Sequence, residues 1–454
     1  MTTPLRGKRA VVLGFARQGR ALARWLPAQG ASVVVSDLNS ADALGDLSVY
    51  PDVEFVLGQH PASLLDGADL LCISGGVPLE LEVVQAALRR GIPLTNDAQL
   101  FLERCPAPVI GITGSAGKTT TTTLAGDILR QAGYRTWVGG NIGDVLLDVL
   151  ADIQPDDRVV MELSSFQLEI MTASPQVAAV LNITPNHLDR HGTMEAYTRA
   201  KAQIIAHQAA DSVAVLGRDD PGSRALADAV VGGLAWFSRY EMVADGAFMA
   251  GQRLLVAGLS SADGAPRVVC ERGDIRLRGD HNLLNALAAC AAAGAGGAPP
   301  AAMAEAIRAF EGVAHRLEVV RTLDGVTWVN DSIATAPERV MAALRSFDEP
   351  LVLLAGGKDK KLPWAEMIEL ALTKARHIVA FGHAGALVVD TVRQIAGDTR
   401  AVTQVETLAQ AVALARELAQ PGDVVLLSPG GTSYDAYRDF AERGVHFRQL
   451  VNGL

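Results

Sequence analysis

Residues 109–126 read VIGITGSAGKTTTTTLAG. An apolar, strand-like run ends at one glycine, a second follows three residues later, and a lysine and a row of threonines then lead into a helical pattern. Backbone N–H groups gathered at a helix N-terminus hold phosphate oxygens, because they point outward and the helix dipole favours negative charge there. Gly114 and Gly117 allow the chain to curl, and the backbone from Ser115 and Ala116 to Thr120 is the expected cradle. Lys118 supplies a point charge for the outer phosphates, and the Thr119 hydroxyl can ligate Mg²⁺. The spacing is G-x-x-G-K-T, shorter than the usual G-x-x-x-x-G-K-[ST], since Ile112 stands five positions before Gly117. The loop predicts nucleotide binding, and by itself leaves the reaction open.

Outward from this loop the chain reads as α/β throughout. RVVMELSS (158–165), VAAVLNIT (177–184) and SVAVLG (212–217) are β-branched apolar runs that end in polar residues, as buried parallel strands do when their carboxyl ends face a site. Upstream, residues 8–35 read strand, glycine turn, helix, strand, with Asp37 just beyond. Downstream, VTWVNDS, PLVLLAGG, HIVAFG and DVVLLSPGG alternate with helical segments. A chain of 454 residues exceeds one ordinary core. Three domains are expected: a Rossmann-like domain over 1–97, a P-loop ATPase-like parallel sheet over 98–312, and a second Rossmann-like domain over 313–454.

Composition excludes several classes. Forty basic against fifty acidic residues, net −10, argue against a nucleic-acid surface. Cys72, Cys105, Cys270 and Cys290 form no C-x-x-C pair, so neither zinc nor a disulfide framework is indicated. The opening MTTPLRGKRAVVLG has no apolar export core before its first strand, and the uncharged run at 286–304 is Ala/Gly-rich and broken by Pro299 and Pro300. A cytoplasmic protein with no membrane association is expected.

Individual residues carry unequal signals. GFARQG (14–19) resembles the dinucleotide fingerprint with Ala16 at the second glycine, so a ligand-free tight turn and a nucleotide other than NAD both stay open. Asp37 either accepts from a ribose or base or is a solvated turn residue. Glu162 ends the strand beside the loop, where an acidic partner for nucleotide-bound Mg²⁺ belongs. His187 follows another strand end, and by periodicity Lys201 reads as a solvated helical lysine.

Together, GITGSAGKTT, ELSSFQLE, NITPNHLDRHGT, AKAQII, GDHNLLNALAA, HRLE and NDSIATAP resemble the Mur ligase family across all three blocks, and the shortened loop is that family's form. The resemblance implies an ATP-dependent amide ligase of peptidoglycan synthesis that adds D-glutamate to UDP-N-acetylmuramoyl-L-alanine through an acyl phosphate. It implies two Mg²⁺ ions, held by Thr119, Glu162, His187 and Lys201, the last as a CO₂-derived carbamate. Lys118 contacts the phosphates. Asn285, Arg316 and Asp331 complete the ATP contacts, so ATP is expected to be clamped between the second and third blocks. Phe15, Ala16, Asp37, Ser74, Gly75, Asn141 and Ser164 match the UDP-substrate side, and Thr335, Lys360, Ser433 and Phe440 the glutamate side. A monomer is implied. One departure stands out: the family's D-S-K-A-T-N is here D-S-I-A-T-A, so Ile333 occupies a lysine position. That keeps L-glutamate, or another carboxylate in the manner of a folylpolyglutamate synthetase, as the alternative. The extra N-terminal block disfavours the folate type.

Overall fold

The computed structural model describes residues 4–143, 145–258, 261 and 264–454. Three mainly parallel sheets follow one another along the chain, with helices in the connections. Contacts divide it into two compact bodies: residues up to Ile275 with His281–Ala309, and Arg276–Asp280 with Phe310–Leu454.

The first sheet is all parallel, in the order Val53–Leu57, Ser32–Asp37, Arg9–Leu13, Leu70–Ile73, Leu94–Thr95. Its central strands are apolar on both faces because helices cover both sides. The helix Arg17–Ala28 buries Gly19, Leu22, Ala23 and Leu26, a 3.6-period stripe, against this sheet. Gly19 is required there, since a Cβ would lie 1.9 Å from the Gly14 carbonyl oxygen. The strand order reverses between Arg9–Leu13 and Leu70–Ile73, and a crevice opens beyond the carboxyl ends at such a point. The turn at Gly14–Ala16 and the turn at Ser74–Gly75 meet there, with Ser74 Oγ donating to Gly14 O at 3.0 Å.

The second sheet has nine strands. Its parallel part places Val109–Thr113 between Arg158–Glu162 and Val177–Val180, with Thr136–Gly140 at one edge and Val213–Gly217 then Gly233–Ser238 on the other side. The chain leaves Val109–Thr113 through helix Lys118–Gln131, visits the edge, returns to one neighbour and then crosses to the other. The strand feeding the glycine loop is therefore the switch point of this sheet. Beyond Gly233–Ser238, the strands Gly246–Ala250, Arg253–Gly258 and Gly264–Glu271 continue the sheet, the last two pairings being antiparallel. The wholly parallel expectation did not include this extension, whose short runs are punctuated by Gly, Ser and Asp.

The third sheet orders Glu318–Leu323, Val326–Asn330, Val424–Gly430, Leu351–Gly356, Ala375–Phe381, Val402–Gln404, with only the first strand antiparallel. The last strand in sequence is inserted between two earlier ones. Three strand-end segments, 331–335, 357–360 and 431–433, consequently come from adjacent strands of one sheet edge. The uncharged run at 286–304 is the end of helix Asp280–Ala295, whose alanines are almost all buried, a turn, and the start of helix Pro300–Ala309. Among the described residues no helix is long and apolar enough to cross a membrane.

Candidate active site

Gly117 caps the helix Lys118–Gln131 with a φ of 86°, a left-handed conformation that glycine adopts without penalty. A Cβ there would also fall 2.2 Å from Asn285 Oδ1. Asn285, on helix Asp280–Ala295, is itself held by Asn282, whose Oδ1 accepts from Asn285 Nδ2 at 3.0 Å. The loop is braced from its other side as well. Ser115 N donates to Asn182 O at 2.9 Å, Ala116 N to Asn182 Oδ1 at 2.9 Å, and Ser115 Oγ to Thr184 O at 2.9 Å. Tyr197 OH donates to Ser115 Oγ at 3.0 Å. The N–H groups of Ser115 and Ala116 are thus already engaged within the protein. Thr120, Thr121 and Thr122 are buried, and Thr123 Oγ1 donates to Thr119 O at 2.9 Å.

Two lysines converge on one acceptor. Lys118 Nζ donates to Gly114 O at 2.8 Å and Lys201 Nζ donates to the same oxygen at 2.9 Å, with Thr113 Oγ1 at 3.4 Å from Lys201. Lys201 is 1% exposed, contrary to the solvated lysine that periodicity suggested. Burial pushes its pKa well below the ordinary lysine value, the neighbouring Lys118 charge pushes the same way, and Glu162 opposes them. Its Nζ also stands 4.8 Å above the Tyr197 ring.

Glu162 is buried and its two oxygens are both used. Thr119 Oγ1 donates to Oε2 at 2.9 Å and Asn141 Nδ2 to Oε1 at 3.0 Å, while Asn141 N donates to Glu162 O. A hydroxyl and a carboxylate on adjacent strand and helix ends are a hard-oxygen pair, the donor type Mg²⁺ prefers. Next to them, Ser164 caps the helical turn Ser165–Leu168 in a reciprocal capping box with Gln167. His187 is exposed, with φ 53°, a left-handed backbone that costs an L-residue about 1–2 kcal/mol. Its ring meets Phe166 edge-on at 5.1 Å, and Phe166 also stacks on His191 at 5.2 Å. Among the described residues no group of three or more His, Cys, Asp and Glu side chains is gathered as a metal cluster.

In the first domain, Phe15 turns inward, its ring packed edge-on against Tyr50 and Phe55 at 5.1 and 5.2 Å. Asp37 serves the loop itself: Oδ2 accepts from Phe15 N at 2.6 Å, and Oδ1 accepts from both Asn39 N and Asn39 Nδ2 at 2.8 Å. Ala16 is exposed, Ser74 is buried, and Gly75 N donates to Gln18 Oε1 at 3.2 Å.

The second body gathers the residues matched to glutamate. Lys360 Nζ donates to Thr335 Oγ1 at 3.4 Å. Lys358 and Thr432 exchange both backbone hydrogen bonds, and Gly430 N donates to Ala334 O, so the three strand-end segments are stitched together. Ser433 is buried at the third segment, and Phe440 is half-buried with its ring 6.3 Å from His315. Ile333 is half-buried, and Arg339 Nη1 donates to its carbonyl at 3.4 Å. Desolvation lowers the Lys360 pKa, and Arg339 is the next cause, a like charge close by. Asp331 accepts from Ser428 Oγ at 2.8 Å and from Leu317 N at 3.2 Å, with Arg316 and Arg339 within electrostatic reach. The sequence reading missed Tyr197 and Asn182, which brace the loop, and Arg443, which is wholly buried beneath the second body's strand ends. Asn182 lies inside a quoted motif, Tyr197 stands three residues before AKAQII, and Arg443 three residues after Phe440.

Known proteins match along the chain. The Mur ligase MurD-like N-terminal domain matches residues 8–96, the Mur ligase middle domain 112–293, and the Mur ligase glutamate ligase domain 315–431. The chain is 42% identical over 452 residues to the UDP-N-acetylmuramoylalanine--D-glutamate ligase of Pelotomaculum thermopropionicum, with 98% of each chain covered. It is 43% identical over 452 residues to the protein of the same name from Symbiobacterium thermophilum, again with 98% of each covered. Among solved structures, UDP-N-acetylmuramate-alanine ligase MurC from Thermotoga maritima superposes with a TM-score of 0.59 at 19% identity, covering 98% of this chain and 99% of that one. At that identity the likeness speaks for the fold.

Burial raises the Asp331 carboxyl from 3.8 to about 7. Between those values the unfolded chain releases this proton while the folded body keeps it, so the group's contribution to stability falls as pH rises and levels off above about 7. Asp331→Asn has no such proton. The melting temperature of the variant minus that of the natural protein is therefore expected to increase steadily from pH 4 to pH 7; a difference that stays flat or decreases contradicts the buried, proton-holding carboxyl.

Proposed function

The chain belongs to the Mur ligase family, and from that premise we propose that it joins D-glutamate to UDP-N-acetylmuramoyl-L-alanine, with ATP cleaved to ADP and phosphate, in peptidoglycan synthesis. The observation that carries this reading is the convergence of Lys118 and Lys201 on Gly114 O beside the Thr119–Glu162 pair. One cationic side chain, Lys118, a buried Lys201 amine open to carbamate formation and a hard-oxygen pair at a helix N-terminus are suited to a polyphosphate with its metal.

ATP is taken with its phosphates at the first turn of helix Lys118–Gln131, because Ser115 and Ala116 already donate to Asn182. Lys118 exchanges the Gly114 carbonyl for a phosphate oxygen. Thr119 and Glu162 would hold Mg²⁺, which supplies neutralisation of phosphate charge. His187 is assigned to a second ion, with its strained backbone as the supporting sign. Lys201 is buried and low in proton affinity, so it presents the neutral amine that CO₂ needs to form a carbamate; the product is an anion that complements Mg²⁺. Asn285, Arg316 and Asp331 are assigned to the remainder of the nucleotide.

The reaction then balances in two transfers. A carboxylate oxygen of the alanyl end attacks the γ-phosphorus, and the bond to the bridging oxygen of ADP breaks. The amine of glutamate, having lost a proton, adds to the acyl carbon, and the C–O bond to phosphate breaks, so phosphate departs carrying one carboxylate oxygen. The protein's part is alignment and charge neutralisation. Asn141 and Ser164 lie against Glu162 and its strand end, which suits the alanyl carboxylate. The turns Gly14–Ala16 and Ser74–Gly75 are assigned to the UDP end, through backbone and Ala16, since the Phe15 ring and the Asp37 carboxylate are used internally. Thr335, Lys360 and Ser433 take glutamate, with Phe440 at the edge. Ile333 brings no charge, and Arg339, on its carbonyl and close to Lys360, offers the second cation for a dicarboxylate. That rearrangement is why L-glutamate is tested beside the D-isomer. The protein acts as a monomer in the cytoplasm.

Phosphate release in the presence of ATP, Mg²⁺ and UDP-N-acetylmuramoyl-L-alanine is expected with D-glutamate, and weakly or not at all with L-glutamate. Release with neither isomer sinks the proposal, and preference for L-glutamate transfers it to the other stereochemistry. Lys201→Ala is expected to lose activity by a factor on the order of 10²–10³ and to regain part of it with acetate or formate. Full activity without rescue removes the carbamate.

A further inference from the structure

Helix Phe440–Asn452 carries a fully buried arginine, Arg443, whose hydrogen bonds all go to neutral oxygens. Nε donates to Ser332 Oγ at 3.0 Å and Nη2 to Ser332 O at 2.9 Å. Nη1 donates to Thr432 O at 3.2 Å, and Nη1 and Nη2 each donate to Gly431 O at 3.3 Å. Ser332 Oγ in turn donates to Phe440 O at 2.7 Å, closing the ring back onto the arginine's own helix. One planar fork therefore spans the segment that ends in Thr335 and the segment that ends in Ser433. The third segment is attached through Thr432, which pairs with Lys358 two residues before Lys360. The packing allows no slack: a Cβ on Gly357 would lie 2.8 Å from Arg443 Nη1 and 2.3 Å from Thr432 O.

A buried guanidinium with no carboxylate on its hydrogen bonds is expensive, since desolvation is offset only by carbonyl and hydroxyl dipoles and by the Asp435 charge, which makes no hydrogen bond to it. Apolar side chains of similar size often do as well or better for stability alone. A charge kept in such a place has a use, and this one lies directly under the strand ends assigned to a dicarboxylate. We propose that Arg443 is the positioning residue of the amino-acid site: it fixes the mutual placement of Thr335, Lys360 and Ser433, and its charge, hydrogen-bonded to no carboxylate, favours an anionic amino acid there. This rests on the assignment of that edge to glutamate. A lysine has a single nitrogen and reaches one segment where the guanidinium reaches two.

The test is steady-state kinetics of the full chain with Arg443→Lys, Arg443→Met and Ser332→Ala, varying glutamate, ATP and the UDP substrate separately, alongside melting temperatures. Both Arg443 variants are expected to raise the KM for glutamate about tenfold or more, and Ser332→Ala about threefold, with the other two KM values within about twofold. No rescue by Arg443→Lys is expected. An unchanged glutamate KM, or a parallel rise of all three KM values with a fall in melting temperature, overturns the positioning role and leaves a structural one. Should neither Arg443 variant fold, Ser332→Ala decides by the same comparison. A natural protein that consumes neither isomer of glutamate overturns the amino-acid assignment itself, and this inference with it.

Discussion

Two lysine side chains share one carbonyl oxygen, that of Gly114, and the middle domain is arranged around that contact. Like charges drawn to one oxygen repel each other, and the more so where water is excluded. Lys201 also lacks water, so it yields its proton first, and the Lys118 charge pushes the same way. An incoming anion relieves the same conflict by drawing Lys118 away. The contact depends on the curl of the loop, which needs Gly117 in a left-handed conformation pressed on Asn285, with Asn182 and Tyr197 bonded to Ala116 and Ser115. The shortened glycine loop is held in shape by its surroundings, where a longer one would supply more of its own turns.

The same topological device recurs in each sheet. A strand order that reverses, or a late strand inserted between earlier ones, leaves strand ends side by side without a connection to fill the space. In the first sheet this brings Gly14–Ala16 to Ser74–Gly75, in the second it sets Ile112 beside Glu162, and in the third it collects Thr335, Lys360 and Ser433. The proposed functions of the three edges, sugar nucleotide, ATP and amino acid, differ only in the side chains mounted there. Hydrogen bonds between the mounted residues hold together groups that are far apart in sequence.

Much of this was legible from residue order. Glu162 follows from the rule that parallel strands end at the site, and Thr119 Oγ1 does meet it. Lys201 by periodicity read as solvated, yet the helix Met194–Ala206 buries Tyr197, Ala200, Lys201, Ile204 and Ile205. A lysine four residues from a tyrosine and four from an isoleucine lies on the apolar stripe, and that was the available signal. Arg443 repeats it, with Phe447 and Val451 at four and eight residues. A charge on the core face of an amphipathic helix marks a site more sharply than many short motifs. Other features had no local sign. Asn182 acts through a loop brought near by sheet order, Phe15 and Asp37 turn inward through contacts with Tyr50, Phe55 and Asn39, and the strands Gly246–Ala250, Arg253–Gly258 and Gly264–Glu271 are short and bounded by glycine.

The central claim is that the cluster around Gly114 O serves phosphoryl transfer onto a carboxylate. The most direct measurement is a single-turnover reaction with UDP-N-acetylmuramoyl-L-alanine labelled with ¹⁸O at both oxygens of the alanyl carboxylate, followed by mass analysis of the phosphate released. An acyl phosphate requires one ¹⁸O atom in that phosphate for each amide formed. Unlabelled phosphate accompanying labelled amide product would contradict the account, because the carboxylate oxygen would then have left by some route other than the phosphoryl group.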